Sequence, residues 1–268
     1  MKKSILLFLR KLLYIKTYFF WQLFPHRGFS AFILCYHSIY NDDWNYSLDE
    51  EVFEKQLQYL TAHYQTGTLS DIIAIINRGK KFSRPVFVIT FDDGYKDIYK
   101  LSPILLKYNI HPTVFILADN DKKINRREMA TDRPLLSVRE IKNLIKAGWT
   151  IGSHGMTHCD FKSLSPAAYL REISQSKKIL EKKYSVPIHY FAYPKGRYDK
   201  TVTLFTRRAG YTLGLSMDDG LITSKTNLFA VPRAGVVRNM SFPEFRSVFL
   251  PYSVIIRKLL VKRLGLII

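Results

Sequence analysis

Between residues 31 and 215, short apolar runs of strand length alternate with stretches whose apolar residues recur at helical spacing, and this alternation constrains the chain more than any other feature. The runs fall at 31–36, 86–91, 113–117, 149–152, 189–192 and 211–215. The first two are apolar almost throughout, as expected of strands covered on both faces. Strands separated by helices pair in parallel, because a parallel connection needs a crossover that a helix supplies. Polar residues recur just past the strand ends, which favours an α/β fold closed into a barrel with its site at the carboxyl ends. With 268 residues, 47% of them hydrophobic, the chain has material for one large core, so a single domain is expected.

The helical stretches carry recognisable punctuation. Val52, Phe53, Leu57 and Leu60 recur at helical spacing across 50–64, and Ser70 is placed to cap a helix over 71–77. Gly94 suits a strand-to-helix turn ahead of a helix over 95–108. Ser137 caps a helix through Lys146 that Gly148 ends, Ser165-Pro166 opens a long helix to about residue 183, and a further helix spans 199–208. Residues 120–134 are polar and irregular and read as a loop on the same face as the site. The barrel domain is expected over 28–240, flanked by basic apolar segments at 1–27 and 241–268.

Charge is concentrated at those ends. The net charge is +19; residues 1–27 carry six basic residues without an acid, and residues 252–268 carry four without an acid. Both ends are also rich in large apolar side chains, such as Ile5 to Leu9, Tyr18 to Trp21 and Val254 to Ile256. Basic and apolar together point to an anionic membrane surface rather than nucleic acid, for which no recognition helix, finger or aromatic sheet pattern is present. A transmembrane span fits poorly, because Arg10, Lys11 and Lys16 would sit within it at roughly 2.5–3.5 kcal/mol each near the bilayer centre. No small-x-small cleavage site precedes Pro25, so the cytoplasmic face is the first expectation and an uncleaved anchor displaying the domain outside the second. A terminal helix docked on the domain fits the same hydropathy. The two cysteines, Cys35 and Cys159, supply neither a disulfide framework nor a four-cysteine metal module, and read as small buried hydrophobes.

Two local patterns carry chemistry. Asp92-Asp93 ends a buried strand, where adjacent carboxylates repel unless a cation or a basic group divides their roles. His154-Gly-Met-Thr-His158 sets two imidazoles four residues apart at the mouth of another strand, so both rings can reach one ion. Asp93 would complete a two-histidine, one-carboxylate set with positions left for water and substrate. Either pattern alone is commonplace, an Asp-Asp-Gly being ordinarily a turn, but the two follow successive buried strands.

Ile-Thr-Phe-Asp92-Asp93-Gly-Tyr and Ser-His154-Gly-Met-Thr-His158 resemble the first two motifs of the polysaccharide deacetylases, the NodB-homology group of carbohydrate esterase family four, and the resemblance runs from about Ile33 to Val237. It implies a distorted (β/α)7 barrel in which Asp92 is the general base, and Asp93, His154 and His158 hold one divalent metal ion. Zinc is expected from the ligand types, with cobalt, nickel or iron able to occupy the same set. Such an ion acidifies water and polarises the acetyl carbonyl, which an unactivated amide requires. Many members carry a late Leu-x-x-x-His as general acid, but no histidine follows Val237 here. Leu34-Cys-Tyr-His37-Ser-Ile instead resembles the amino-terminal Tyr-His segment of the permuted poly-N-acetylglucosamine deacetylase branch, which gives the acid role to His37; the plain alternative is a histidine packed at a strand end.

The third motif, usually Arg-x-Pro-Tyr, stands here as Ala192-Tyr193-Pro194-Lys195-Gly196. The oxyanion-hole donor it supplies is a main-chain N–H, which survives the change to Lys195. Its missing arginine is replaced in the resemblance by Arg233 of Val231-Pro232-Arg233, assigned to orient Asp92. Asp218-Asp219-Gly220 has no matching partner and reads as a loop. The expected activity is removal of an N-acetyl group from an amino sugar in a polysaccharide or a lipid-linked glycan. The alternatives are an O-acetyl esterase on the same site and a non-catalytic, basic membrane-binding protein on the same scaffold.

Overall fold

The computed structural model describes residues 2–23, 29–119, 129, 132–161 and 164–264. In chain order the elements are α1 (Lys2–Leu23), β1 (Ala31–Tyr36), α2 (Glu50–His63), β2 (Gln65–Thr66), α3 (Leu69–Arg78), β3 (Val86–Phe91), a 3-10 turn (Lys96–Leu101) running into α4 (Ser102–Lys107), β4 (Thr113–Ile116), α5 (Val138–Lys146) and β5 (Thr150–Ser153). The helical stretch that follows has three parts: α6 (Pro166–Tyr169), a π-helical segment (Leu170–Gln175) and α7 (Ser176–Tyr184). Then come β6 (Tyr190–Ala192), a 3-10 turn (Pro194–Gly196), α8 (Lys200–Arg208), β7 (Leu213–Leu215), β8 (Ala234–Gly235), α9 (Phe242–Val248) and α10 (Pro251–Leu264).

All the named strands pair in parallel, in the order β7-β6-β5-β4-β3-β1-β8, with β2 beside the start of β3. The segment 231–236 draws the two edges together. Val231 bridges Leu215 of β7, Ala234 and Gly235 pair with Leu34 and Cys35 of β1, and the Val236 N–H donates to the Cys35 carbonyl at 2.9 Å. Joining the edges removes the unpaired strand rows that an open sheet would expose. The result is the expected distorted (β/α)7 barrel in one domain.

β1 and β3 are buried along their whole length. Their side chains alternate between two cores, as a period of two demands. Phe32, Leu34, Tyr36, Phe87, Ile89 and Phe91 face the surrounding helices. Ala31, Ile33, Val86 and Val88 face inward and share a cluster with Phe115, Ala192, Leu213 and Leu215, to which α3 adds Leu69, Ile72 and Ile75. Each fully buried aliphatic side chain contributes about 1.5–3 kcal/mol. Two residues further along the inward faces the chemistry changes: Cys35 follows Ile33, while Thr90 and Asp92 follow Val88, so the barrel's interior turns polar at its carboxyl end.

Several local expectations shift. The cap of α3 is Thr68 rather than Ser70, because Asp71 completes a capping box with Thr68 and the helix starts earlier. Ser70 lies inside the helix, its hydroxyl against that of Tyr190 at 3.2 Å. Ser137 and Glu140 form the capping box of α5. Most of the polar loop at 120–134 lies outside the described residues, but Arg133 is tied to Asp42, Asp97 and Ser38.

At the ends, α1 docks on α9 and α10, as in the docked-helix alternative. Tyr14 and Thr17 are buried, the Thr17 hydroxyl lies 2.7 Å from that of Ser253, and the Phe20 and Tyr252 rings meet edge to face at 4.7 Å. Asp219 is not partnerless: it forms an ion pair at 2.6 Å with Arg257 of α10, which also donates to the Tyr14 hydroxyl. One of the basic residues at the carboxyl end is therefore neutralised within the fold. No described helix is long and apolar enough to cross a membrane.

Candidate active site

Asp92 stands at the end of β3, held in line by its N–H donating to the Tyr36 carbonyl at 2.9 Å. Both its carboxylate oxygens are taken by Arg233, Nη1 to Oδ1 and Nη2 to Oδ2, each at 2.7 Å. Arg233 reaches inward from the segment that joins the barrel's edges. Its Nε donates to the Ser216 carbonyl at 3.2 Å, its Nη1 also donates to Thr90 Oγ1 at 3.2 Å, and it stacks over Phe115. The forked pair fixes the carboxylate plane, which a lysine's point charge would not do. Burial alone would raise the Asp92 carboxyl, but the guanidinium outweighs it and holds the group well below the usual carboxylate range. Asp92 is thus an oriented carboxylate.

Asp93 would face the opposite side from Asp92 if the strand continued. Instead the backbone reverses: Asp93 has φ 70° and Gly94 φ 72°, with the Gly94 N–H donating to the Asp92 carbonyl at 2.9 Å. A non-glycine residue in the left-handed region stores about 1–3 kcal/mol of strain and persists only where its surroundings enforce it. The reversal aims Asp93 at the two histidines. Its Oδ1 lies 3.4 Å from His154 Nε2 and 3.3 Å from His158 Nε2.

His154 follows β5, and its Nδ1 sits 2.8 Å from the Ala192 carbonyl at the end of β6. A carbonyl only accepts, so this bond puts the proton on Nδ1 and leaves the Nε2 lone pair facing Asp93. Burial, acting against the two neighbouring aspartates, pushes His154 down to about 4, so the ring is neutral and in the form a metal ligand needs.

One divalent cation fits these residues. Asp93 Oδ1 is buried without a hydrogen-bond partner, and donor atoms of Asp93, His154 and His158 all lie within 4.8 Å of one another. Nitrogen and carboxylate ligands about 2.0–2.2 Å from a shared tetrahedral ion stand roughly 3.3–3.5 Å apart, the spacing observed here.

His37 follows β1 and is half-buried, its ring 4.8 Å from that of Tyr46, with Nδ1 buried and unbonded. It shares a cluster with Cys35 and Asp92, in which ligand-type atoms again lie within 4.8 Å. That second trio is no cation site: Arg233 occupies both Asp92 oxygens, and burial holds the Cys35 thiol protonated, far above its usual value. Cys35 does more than pack, since its thiol donates to Asp92 Oδ2 at 3.3 Å. Lys195 lies just past β6, its side chain exposed and its backbone left-handed at φ 58°, three residues beyond the carbonyl that holds His154.

The structure gathers Asp92, Asp93, His154, His158, His37 and Arg233 around the barrel mouth, with Lys195 on the rim. Three participants went unread in the sequence. Thr90 could have been found, since it lies two residues before Asp92 on the same strand face. Ser216 and Glu172 carried no local signal. Glu172 is a buried carboxylate whose oxygens hold the backbone between His154 and His158.

An oriented carboxylate beside a two-histidine, one-carboxylate set, at the carboxyl end of a parallel barrel, defines a hydrolase of the metal-assisted class. The profile of the polysaccharide deacetylase family matches residues 79–214, half of the chain, and the chain belongs to that family. YxkH of Bacillus subtilis (strain 168), named as a polysaccharide deacetylase, is 28% identical over 215 residues, 80% of this chain and 74% of YxkH. The poly-beta-1,6-N-acetyl-D-glucosamine N-deacetylase of Staphylococcus aureus (strain MSSA476) is 29% identical over 203 residues, 70% of this chain and 67% of that protein. The solved Streptococcus pyogenes deacetylase PplD, in complex with acetate, superposes with a TM-score of 0.71 at 25% identity, covering 82% of this chain and 99% of PplD. The protein is a carbohydrate deacetylase. Deacetylases of this family use a divalent metal, and Asp93, His154 and His158 form the candidate site for it.

Proposed function

We propose that the protein removes the N-acetyl group from an amino sugar within a polymeric or lipid-linked glycan. Asp92 acts as general base, His37 as general acid, and Asp93, His154 and His158 hold one divalent ion. The observation that carries this reading is the Asp92–Arg233 fork next to the Asp93, His154 and His158 donor cluster. Zinc is the first choice by ligand type, with cobalt, nickel and iron able to replace it. When bound, the ion supplies Lewis acidity, making water a nucleophile near neutral pH and polarising the acetyl carbonyl.

The chain's own residues do the rest. Arg233 keeps Asp92 ionised and in a fixed plane, ready to take the proton of the attacking water. His37, on the neighbouring strand, gives a proton to the departing amine. The Lys195 main-chain N–H, beyond β6, is assigned to the developing oxyanion. Mass analysis of products from a panel of free, polymeric and lipid-linked N-acetylhexosamines tests the reading. It expects loss of one acetyl group and gain of a titratable amine; release of acetate from O-acetylated glycans alone would replace it with the esterase reading.

We also propose that the ends localise the enzyme at an anionic membrane surface. On α1, Phe19 and Leu23 are 63% and 72% exposed beside the exposed Lys16, and on α10 Ile255 and Leu259 are exposed beside Lys258. Apolar side chains bracketed by cations suit the boundary between headgroups and acyl chains.

A further inference from the structure

We infer that Glu172 is a positioning residue for the metal ligands: it clamps the three-residue link between His154 and His158 and so sets where the second imidazole points. The inference rests on the ligand assignment above. For two histidines four residues apart to meet one ion from the end of a strand, the chain between them must fold back. It does so through left-handed conformations at both ends of the link, Gly155 at φ 83° and His158 at φ 62°. Glycine takes such a conformation freely, but histidine pays about 1–2 kcal/mol for it, so something must hold His158 there.

Glu172 supplies that hold from one side. Its Oε2 accepts the Met156 N–H at 2.7 Å and the Thr157 N–H at 3.1 Å, and its Oε1 accepts the Thr157 hydroxyl at 2.9 Å. Two successive backbone N–H groups converging on one carboxylate oxygen form a small anion nest, here filled by a side chain of the same protein. The other side of the link is held by its carbonyls: Gly155 O accepts the Ala118 N–H at 3.0 Å and Met156 O accepts the Asp119 N–H at 3.1 Å. The fit is close, since a Cβ at residue 155 would stand 3.1 Å from Glu172 Oε2.

A buried carboxylate is costly unless its charge is compensated. Glu172 is buried, and among the described residues it forms no ion pair; the donors of the link compensate it, with the Cys159 thiol as a further hydrogen-bond partner. It sits on the π-helical segment 170–175, and Ser176, the first residue of α7, ties that segment to β5: its hydroxyl accepts from the Ser153 hydroxyl at 3.0 Å and donates to the Ile173 carbonyl at 2.9 Å. Short π segments recur at functional sites. The carboxylate touches neither imidazole and acts only through the backbone that carries them.

The test uses the full-length protein, stripped of metal with a chelator and titrated with Co2+, whose visible spectrum reports ligand geometry. Glu172→Ala is expected to weaken Co2+ binding by about 10–100-fold and to alter the spectrum, while the metal-free variant still unfolds cooperatively. Glu172→Gln is expected to stay within about threefold of wild type, because its carbonyl can take both N–H groups and its amide can donate to the Thr157 hydroxyl. Thr157→Val removes one bond of the clamp without creating a buried unpaired carboxylate, and is expected to show a smaller weakening. Wild-type affinity and spectrum in Glu172→Ala, or in Thr157→Val if the alanine variant does not fold, overturn the inference. Equal loss in the Gln and Ala variants also overturns it, since charge rather than position would then be responsible. Full metal binding by a His154→Ala, His158→Ala double variant would instead remove the ligand assignment on which it rests.

Discussion

A buried carboxylate forked by a buried arginine has two jobs that substitution separates. Asp92→Asn keeps the size of the side chain and leaves Asp93 in place, so metal binding should persist while turnover falls by about 10²–10⁴-fold, measured as kcat on an N-acetylated oligosaccharide. The same change leaves the Arg233 charge without its counter-ion, so the melting temperature should also drop, by an amount corresponding to about 3 kcal/mol. His37→Ala should lose turnover on the same scale without the stability cost, because its Nδ1 makes no bond. Wild-type turnover in His37→Ala would return that residue to the packing alternative. The pH dependence follows from His154, whose folded value near 4 lies below the ordinary 6.5. The unfolded chain then binds more protons between those values, so metal-free protein should be most stable above about 6.5 and lose stability as the pH falls towards 4. Asp92 adds in the same direction at lower pH: its depressed carboxyl stabilises the fold above the ordinary aspartate range and loses that contribution further into acid. Urea melts of metal-free protein across pH 4–7 measure the first slope, and a flat profile in that window contradicts it.

At the level of elements, the turn after β3 is where conformation and chemistry meet. Gly94→Ala would place a Cβ 2.8 Å from Ile116 Cγ2 at a φ of 72°, so it should destabilise the protein by about 1–3 kcal/mol and weaken metal binding by moving Asp93. Calorimetric melting together with metal titration checks both parts, and an unaffected metal affinity would mean that Asp93 tolerates the shift. The strands were legible because burial on both faces writes a continuous apolar run into the chain. Cap positions were less so: Ser70 and Thr68 are both good capping residues, and only the pairing of Thr68 with Asp71 decides between them. The break of the 166–184 helix into a π segment was not legible, since residues of that stretch have ordinary helical propensities and the register change is set by what they pack against.

Across the whole molecule, the terminal helices are both braced and available. Tyr14, Thr17 and Arg257 knit α1 to α10 and, through Asp219, to the loop that follows β7, while Phe19 and Leu23 face outward. Full-length protein should sediment with anionic vesicles at low salt and less at high salt, as charges worth about 1 kcal/mol each near such a surface are screened. Removing residues 1–24 should weaken sedimentation but also uncover the surface on which α1 packs, so it tests folding and localisation together. Phe19→Ser with Leu23→Ser separates them, because both side chains are mostly exposed: the melt should be unchanged and vesicle binding reduced. Unchanged vesicle binding in the double variant would leave the helix as a purely structural brace.

The chain by itself determined the elements and the chemistry that lie close together along it: the buried strands, the Asp92-Asp93 step and the His154–His158 spacing are all written within a few residues. It also placed His37 and Arg233 through their resemblance to family motifs. Only the tertiary structure decided what holds these groups. The Arg233 fork reaches Asp92 across 141 positions, the Glu172 clamp reaches Met156 across 16, and Arg257 reaches Asp219 across 38. Each joins residue types common on any surface, and no period or spacing marks them in advance. Their meaning comes from the joining of the barrel's edges, which brings strand ends remote in sequence to one mouth and buries charged side chains where only a partner can compensate them.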